Sequence, residues 1–477
     1  MSRSLAYLAL LIPLMSAMAE DGPPTLLWAR EYFPESICYF NHVIQTYDGG
    51  YAVCALVSGQ HHPILRFSAD GDTLWSAADT FFVPSCYWLE ELPNHDILGT
   101  GVARLASGYS FGLFLVRIDQ SGQLLWARLY DRTPENDFGL CGALLPDGGF
   151  AVCGYTDDYD AWLLRTDSQG DTLWTRVWEP GWARARRVVY HDNGLVMFVD
   201  GSFGYGPLLI RYDMDGDLEW VSDFTGEFES STDWGGSMCL TPGGGGYTFA
   251  SEYYSWIVGA DWSGEEQWSQ EVYGASGRIG LSINPTMDGG YIFSGTGGHW
   301  SPPQTVDIHY APADTGSTWD GWLVKMDSLG NDEWHVFNSL GARDNYFNCV
   351  QQLSQGGYIV AGQIWDTVHS DWNGYLLRYA PETGIGGEEN PEPILQLHPS
   401  SNPFRSSVSI ICEGDALPGQ LMVYDITGRL IRSLSERQGS SFTWDGCDAA
   451  GDQVPAGTYL IQGAVDGQVS SIRVVKL

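Results

Sequence analysis

The chain has 477 residues, of which 59 are acidic and 23 basic, giving a net charge of −36. A field of that sign repels phosphate backbones and anionic head groups, so it argues against nucleic-acid binding and peripheral membrane attachment. The acid is dispersed through turns rather than gathered in runs, which reads as solvated surface.

In chain order, residues 1–19 combine a head carrying Arg3, an apolar run from Leu5 to Met15 and the small-x-small triplet Ala17-Met18-Ala19. That pattern reads as a signal peptide cleaved after Ala19. The run is shorter than the roughly 20 apolar residues a spanning helix needs, and no later stretch reaches that length, so no transmembrane segment is expected.

From residue 25 to 384 the sequence repeats itself. LLRTDSQGDTLW (163–174) recurs, complete or worn, at 64–75, 115–126, 209–220, 257–268, 323–334 and 376–384. A Gly-rich turn and an apolar run precede the copies, as in DGGFAVCG (147–154), DGGYIFSG (288–295) and QGGYIVAG (355–362). The tryptophans that close the phrase stand at 75, 126, 174, 220, 268 and 334. Most of these spacings are about 45–50 residues, the period of a four-stranded propeller blade. No stretch shows a capped helical period, so each copy reads as four antiparallel strands, A to D from the inside out. The seventh copy stops before its outer strand, whereas TLLWAREYF (25–33) stands alone at the start and looks like one. The expectation is an all-β, seven-bladed β-propeller closed by its N-terminal strand, a closure that leaves no open edge.

Arg66, Arg117, Arg165, Arg211, Lys325 and Arg378 share one position of strand C. A residue repeated around a ring reads as a strut to a turn carboxylate rather than as a catalytic group. The repeat tryptophans read as packing anchors. Nine cysteines show no tight spacing; Cys54 and Cys153 read as core, and Cys141 with Cys153 and Cys412 with Cys447 are candidate disulfides.

The phrase D-x-x-G-x-x-x-W after an apolar strand resembles the tryptophan-docking motif of quinoprotein-like propellers. That resemblance implies the fold. The quinone cofactor is not carried over, because the vicinal Cys-Cys of those enzymes is missing here. No cofactor is expected; calcium is an alternative for the Asp-Gly turns, which backbone geometry already explains.

The A–B and C–D turns are short and uniform, whereas the D–A and B–C loops are varied and rich in aromatic and acidic residues. Variable loops tend to carry function. They supply the candidate binding residues Tyr159, Trp182, Tyr253, Tyr254, His299, Trp300, Trp319, Trp365 and Trp372. The largest irregularity is an insertion at 298–319, read as a covering loop. Its His299, Asp307, His309 and Asp314 lack a ligand spacing, so no metal site is expected. No GxSxG, HExxH or phosphate-loop motif occurs, and no catalytic residue is nominated.

Residues 385–393 read as a Gly, Glu and Pro linker, and 394–477 as a small Ig-like sandwich of short alternating strands. Within it, Asn402-Pro403-Phe404, Tyr424-Asp425, Gly428-Arg429, Trp444-Asp445-Gly446, Asp448, Gly451, Pro455, Gly457 and Tyr459 form a spaced set of motifs. These resemble the type IX secretion C-terminal sorting domain and the related Ig-like domain of flagellar hook-cap proteins. The resemblance implies an address, with the secretion machinery as partner, and a secreted or outer-cell-surface location reached through the periplasm. The combined expectation is an exported propeller that binds a glycan, peptide or surface partner on its variable face. The alternative is a polysaccharide-active hydrolase or lyase with its site at the propeller mouth.

Overall fold

The structure is a computed structural model. It describes residues 23–33, 36–58, 64–77, 82–104, 110–132, 136–179, 183–201, 206–224, 236–242, 244–251, 256–271, 278–298, 319–338, 343–382, 396–400, 404–413, 417–425, 430–435, 437–448, 451–455, 457–465 and 468–476. The signal-peptide reading and the linker at 385–393 lie outside these residues.

The described residues form nine four-stranded antiparallel sheets and no helix. Seven come from residues 26–379. Six of these are consecutive meanders; in the seventh, Asn345–Gln352, Tyr358–Asp366 and Asp371–Tyr379 are completed on the outside by Leu26–Tyr32. That N-terminal strand runs antiparallel to Asp371–Tyr379, with Ala29 opposite Leu377 and Tyr32 opposite Gly374. The innermost strands, beginning with Cys38–Gln45, Phe82–Glu91, Asp137–Leu144 and Ala183–His191, each touch the next, and the last of them, Asn345–Gln352, returns to the first. The sheets therefore close into a propeller-like ring.

Two repeated devices hold neighbouring sheets together. The closing tryptophan of an outer strand lies on the C–D turn of the following sheet, except Trp334, which meets the seventh sheet by donating to Glu382 and packing on Tyr358. Trp75 Nε1 donates to Gln120 O at 3.1 Å and Trp174 Nε1 to Met214 O at 2.9 Å. The glycine of that turn makes room: a Cβ added at Gly122 would stand 2.8 Å from Trp75, and one at Gly170 3.1 Å from Trp126. Both glycines have positive φ, so the turn geometry and the tryptophan select the same residue. Trp28 of the N-terminal strand packs on Gly71 in the same way, so the closing contact repeats the others.

The second device is the cation of strand C. In four sheets it reaches the carboxylate of the A–B turn, not that of the neighbouring C–D turn. Arg117 meets Asp96 at 2.7 Å, Arg165 meets Asp147 at 2.5 Å, and Lys325 meets Asp288 at 2.7 Å, with Arg66 on Asp48 alike. In the fourth sheet Arg211 instead pairs with Glu219 of the outer strand and donates to His191 O and Asp192 O, and in the seventh Arg378 donates to the carbonyls of Tyr379 and Gly356. The C–D aspartates are occupied by their own turns. Asp167 Oδ1 accepts the N–H groups of Gln169 and Asp171, and Asp213 and Asp327 do the same two and four residues on. Turn geometry therefore accounts for these carboxylates. In the fifth sheet Gly259 takes the strut position opposite Trp268, and a side chain there would collide with that indole.

All nine cysteines are buried free thiols, which corrects the two candidate disulfides. Cys54 and Cys153 are fully buried, as core residues should be. Cys141 does stand opposite Cys153 in the register, yet both remain thiols in the core of the third sheet. Cys412 is in the sandwich core, and Cys447 Sγ lies 2.9 Å from Gln453 Nε2.

The remaining two sheets, in residues 396–476, enclose a core built on Ile410, Val423, Phe442, Trp444, Ile461 and Val474. Most described motif residues are structural here. Trp444 packs against Phe404 and Tyr459 at 5.4 and 4.9 Å and donates from Nε1 to Cys447 O. Gly446 and Gly451 have positive φ; Asp445 pairs with Arg432 at 3.0 Å; Asp448 Oδ1 accepts from Asp452 N; and Tyr459 donates to Pro455 O. Tyr424 is half-buried on the strand Leu421–Asp425, and Gly457 opens the strand Gly457–Val465. Asn402, Pro403, Gly428 and Arg429 lie outside the described residues.

Candidate functional site

Antiparallel order puts the A–B and C–D turns at one edge of the ring and the B–C and D–A connections at the other. The second edge carries the described candidate residues. Trp182, Tyr253, Tyr254, His299 and Trp300, with Asp307, His309 and Asp314 of the insertion, lie outside the described residues. Tyr159, Trp319, Trp365 and Trp372 lie within them.

Three of those four are brought together. Trp365 and Trp372 are opposite each other in the hairpin of the seventh sheet, with ring centroids 5.3 Å apart. Trp372 meets Tyr346 of the innermost strand at 5.2 Å, and Tyr346 stacks on Trp319 of the sixth sheet at 6.2 Å and 19°. All four rings are partly exposed, so they form an aromatic row across two sheets. Tyr346 was missed because it belongs to no loop motif; only the register between the two sheets places it in the row.

Carboxylates fix this row from behind. Asp344 Oδ1 accepts from Trp319 N at 3.0 Å, while its carbonyl accepts from Trp365 N at 2.8 Å. Asp371 Oδ1 accepts from Trp372 N, and Asp366 meets His369 Nδ1 at 2.6 Å. Burial would raise the Asp366 carboxyl, but the bonds from His369 and the backbone of Val368 hold it below its ordinary value. Glu91, whose carboxyl burial raises, stands at the opposite edge beside Tyr47 and His95.

Tyr159 belongs to a separate group. It stacks on Tyr155 at 5.8 Å, Tyr155 on Phe138 at 4.6 Å, and the Arg184 guanidinium covers Tyr159 at 4.7 Å. This group belongs to the third and fourth sheets, whereas the row spans the sixth and seventh.

Between the innermost strands lies a cavity of about 370 Å³ to which all seven sheets contribute. A bulge recurs near the same point of the innermost strand in six of them, and the residues it sets outside the ladder register, Asn41, Tyr87, Leu140, Arg186 and Asn348, line the cavity. Bulges re-aim side chains where a strand must serve more than its ladder. Asn41 Nδ2 donates to Cys86 O and Asn348 Nδ2 to Phe40 O, each across to the following sheet. Burial, then the Arg187 charge, holds His42 down at about 3, so that ring is neutral. Burial drives Tyr87 up to about 12. The two ionised groups in the wall are Arg186, bound to Asp200 at 2.6 Å, and Arg187. Sequence inspection passed over the cavity because its residues differ from sheet to sheet and share only a backbone irregularity.

Among the described residues no group of three or more His, Cys, Asp or Glu is gathered as a metal site.

Residues 401–466 match the FlgD Ig-like domain family. No curated protein matches the chain. Among solved structures, the extracellular domain of a putative hybrid two-component system from B. thetaiotaomicron is similar at 10% identity and TM-score 0.45, over 95% of this chain and 60% of that one. This chain thus spans about 60% of that domain's length. The Neurospora crassa Pan2 WD40 domain is similar at 7% identity and TM-score 0.46, over 78% of this chain and 100% of that one. YCF48 bound to D1 peptide is similar at 10% identity and TM-score 0.45, over 77% and 100%.

Proposed function

We propose that the seven sheets are seven blades of one exported propeller and that its variable edge binds a glycan. The observation that carries this reading is the row Trp319, Tyr346, Trp372 and Trp365. Partly exposed aromatic faces backed by fixed carboxylates suit the apolar faces and hydroxyl edges of sugar rings. The alternative of a polysaccharide hydrolase or lyase needs a carboxyl held protonated near the site. Asp366, beside the row, is shifted the other way. The C-terminal domain is the export address in this reading, supported by the family match over 401–466 and by the packed Trp444–Tyr459 motif.

A polysaccharide pull-down and glycan array with the full chain, followed by mass spectrometry of any released products, tests the proposal. The expected result is capture without turnover, lost when Trp365 and Trp372 are both changed to alanine. Released products, or capture that survives both substitutions, would overturn it.

A further inference from the structure

We infer that the axial cavity is a second binding site, built for a small hydroxylated monocarboxylate of the size and kind of a sugar acid. The argument begins with charge. In a chain of net −36, the described residues of the cavity wall include two arginines and no carboxylate. Arg186 is neutralised by Asp200, which leaves Arg187. Its Nε donates to Met238 O at 3.3 Å and its Nη1 lies 3.8 Å from Cys141 Sγ; no carboxylate meets it among the described residues. A guanidinium enclosed by protein favours an oxyanion partner, and its planar fork matches a carboxylate.

One uncommitted positive charge balances one negative charge. A dianion such as phosphate would bring an excess into a protein that is already strongly acidic. The remaining wall groups are neutral and polar: the amides of Asn41, Asn348 and Gln363 and the hydroxyls of Ser237 and Ser282. These offer donors and acceptors to hydroxyls. The volume lies near the lower end of the range for small-molecule sites. The neighbouring thiol reports the same field. Burial would raise Cys141, yet the Cys153 thiol and Arg187 turn its shift downward. A thiolate there would compete with a ligand, so binding is best measured with the thiol protonated.

The test is calorimetric titration of the full chain near pH 5, on the acid side of the lowered Cys141 value of about 6, with glucuronate, glucose and acetate as probes. The expected order is glucuronate ahead of acetate, with no binding of glucose, and a loss of about tenfold or more for glucuronate in Arg187→Gln. Gln363→Trp fills the cavity without touching the charge and should abolish binding, which keeps the test sound should Arg187→Gln not fold. Glucose binding as tightly as glucuronate, acetate as tightly as glucuronate, full binding to either variant, or no binding of any probe would each overturn the inference. Because this site shares no residue with the aromatic row, Trp365→Ala with Trp372→Ala should leave glucuronate binding unchanged, so the two proposals fail separately.

Discussion

The two edges of the ring are built on opposite plans. At the turn edge the same parts recur: an aspartate that accepts its own turn's N–H groups, a positive-φ glycine under a neighbour's tryptophan and, in four sheets, a strand-C cation on an A–B carboxylate. At the other edge, among the described residues, the aromatic row lies where the sixth and seventh sheets meet. A contact made in every repeat is a condition of the ring, whereas a contact made once is free to serve a ligand.

If that division is right, damage to the repeated parts should show in stability and damage to the singular parts in binding. The largest effect should come from deleting residues 25–33. The deletion removes Trp28 from Gly71, the Glu31 bond to Arg343 at 2.5 Å and the outer ladder of the seventh sheet. Urea unfolding should show a loss beyond the about 3–5 kcal/mol of a single Trp→Ala change; an unchanged midpoint would break the closure argument. Trp174→Ala comes next. It should cost about 3 kcal/mol, the low end of that range because the indole is half-buried, with glycan capture intact.

Acid should act on the turn edge by smaller steps. Asp48, Asp288 and Asp327 are held below 3.8, against the raising effect of burial, by bonds from turn N–H groups and neighbouring side chains and by the charge of the strut cations. In Asp261 the bond from Ser263 leads. Their folded forms bind protons less readily than the unfolded chain, so the stabilisation is complete above the unfolded value of about 4 and is lost as pH falls through the lowered folded values. Asp327→Asn should flatten the acid limb of a melting-temperature profile slightly while leaving the neutral plateau nearly unmoved. A steeper limb would contradict the assignment. Trp365→Ala with Trp372→Ala should cost about 1 kcal/mol or less for each partly exposed ring, far less than the closure deletion, with capture lost.

Much of the ring was legible in the sequence because a repeat displays its scaffold several times over. The tryptophans at 75, 126 and 174 and the unmatched strand at 25–33 made both the docking and the closure readable. The strut's partner was not readable, because Arg165 is two residues from Asp167 in sequence but reaches Asp147, across the hairpin, in space. Of the aromatic row, three members sat in conspicuous loops. Tyr346, which joins them, sits in an ordinary inner strand, and only inter-sheet register reveals it. The axial cavity was invisible for a similar reason: a bulge at Asn41 or Asn348 leaves no mark in composition or period. In the tail, the motif residues were easy to find, and their packing around Trp444 explains why they are spaced as they are.

The most direct test of the division between the edges is hydrogen–deuterium exchange of the full chain with and without a captured polysaccharide. The account predicts added protection confined to the strand ends around Trp319, Asp344 to Tyr346 and Trp365 to Trp372, with none at the turns of Asp147, Asp167 and Asp288. Protection centred on those turns would place the ligand on the scaffold edge and contradict the account.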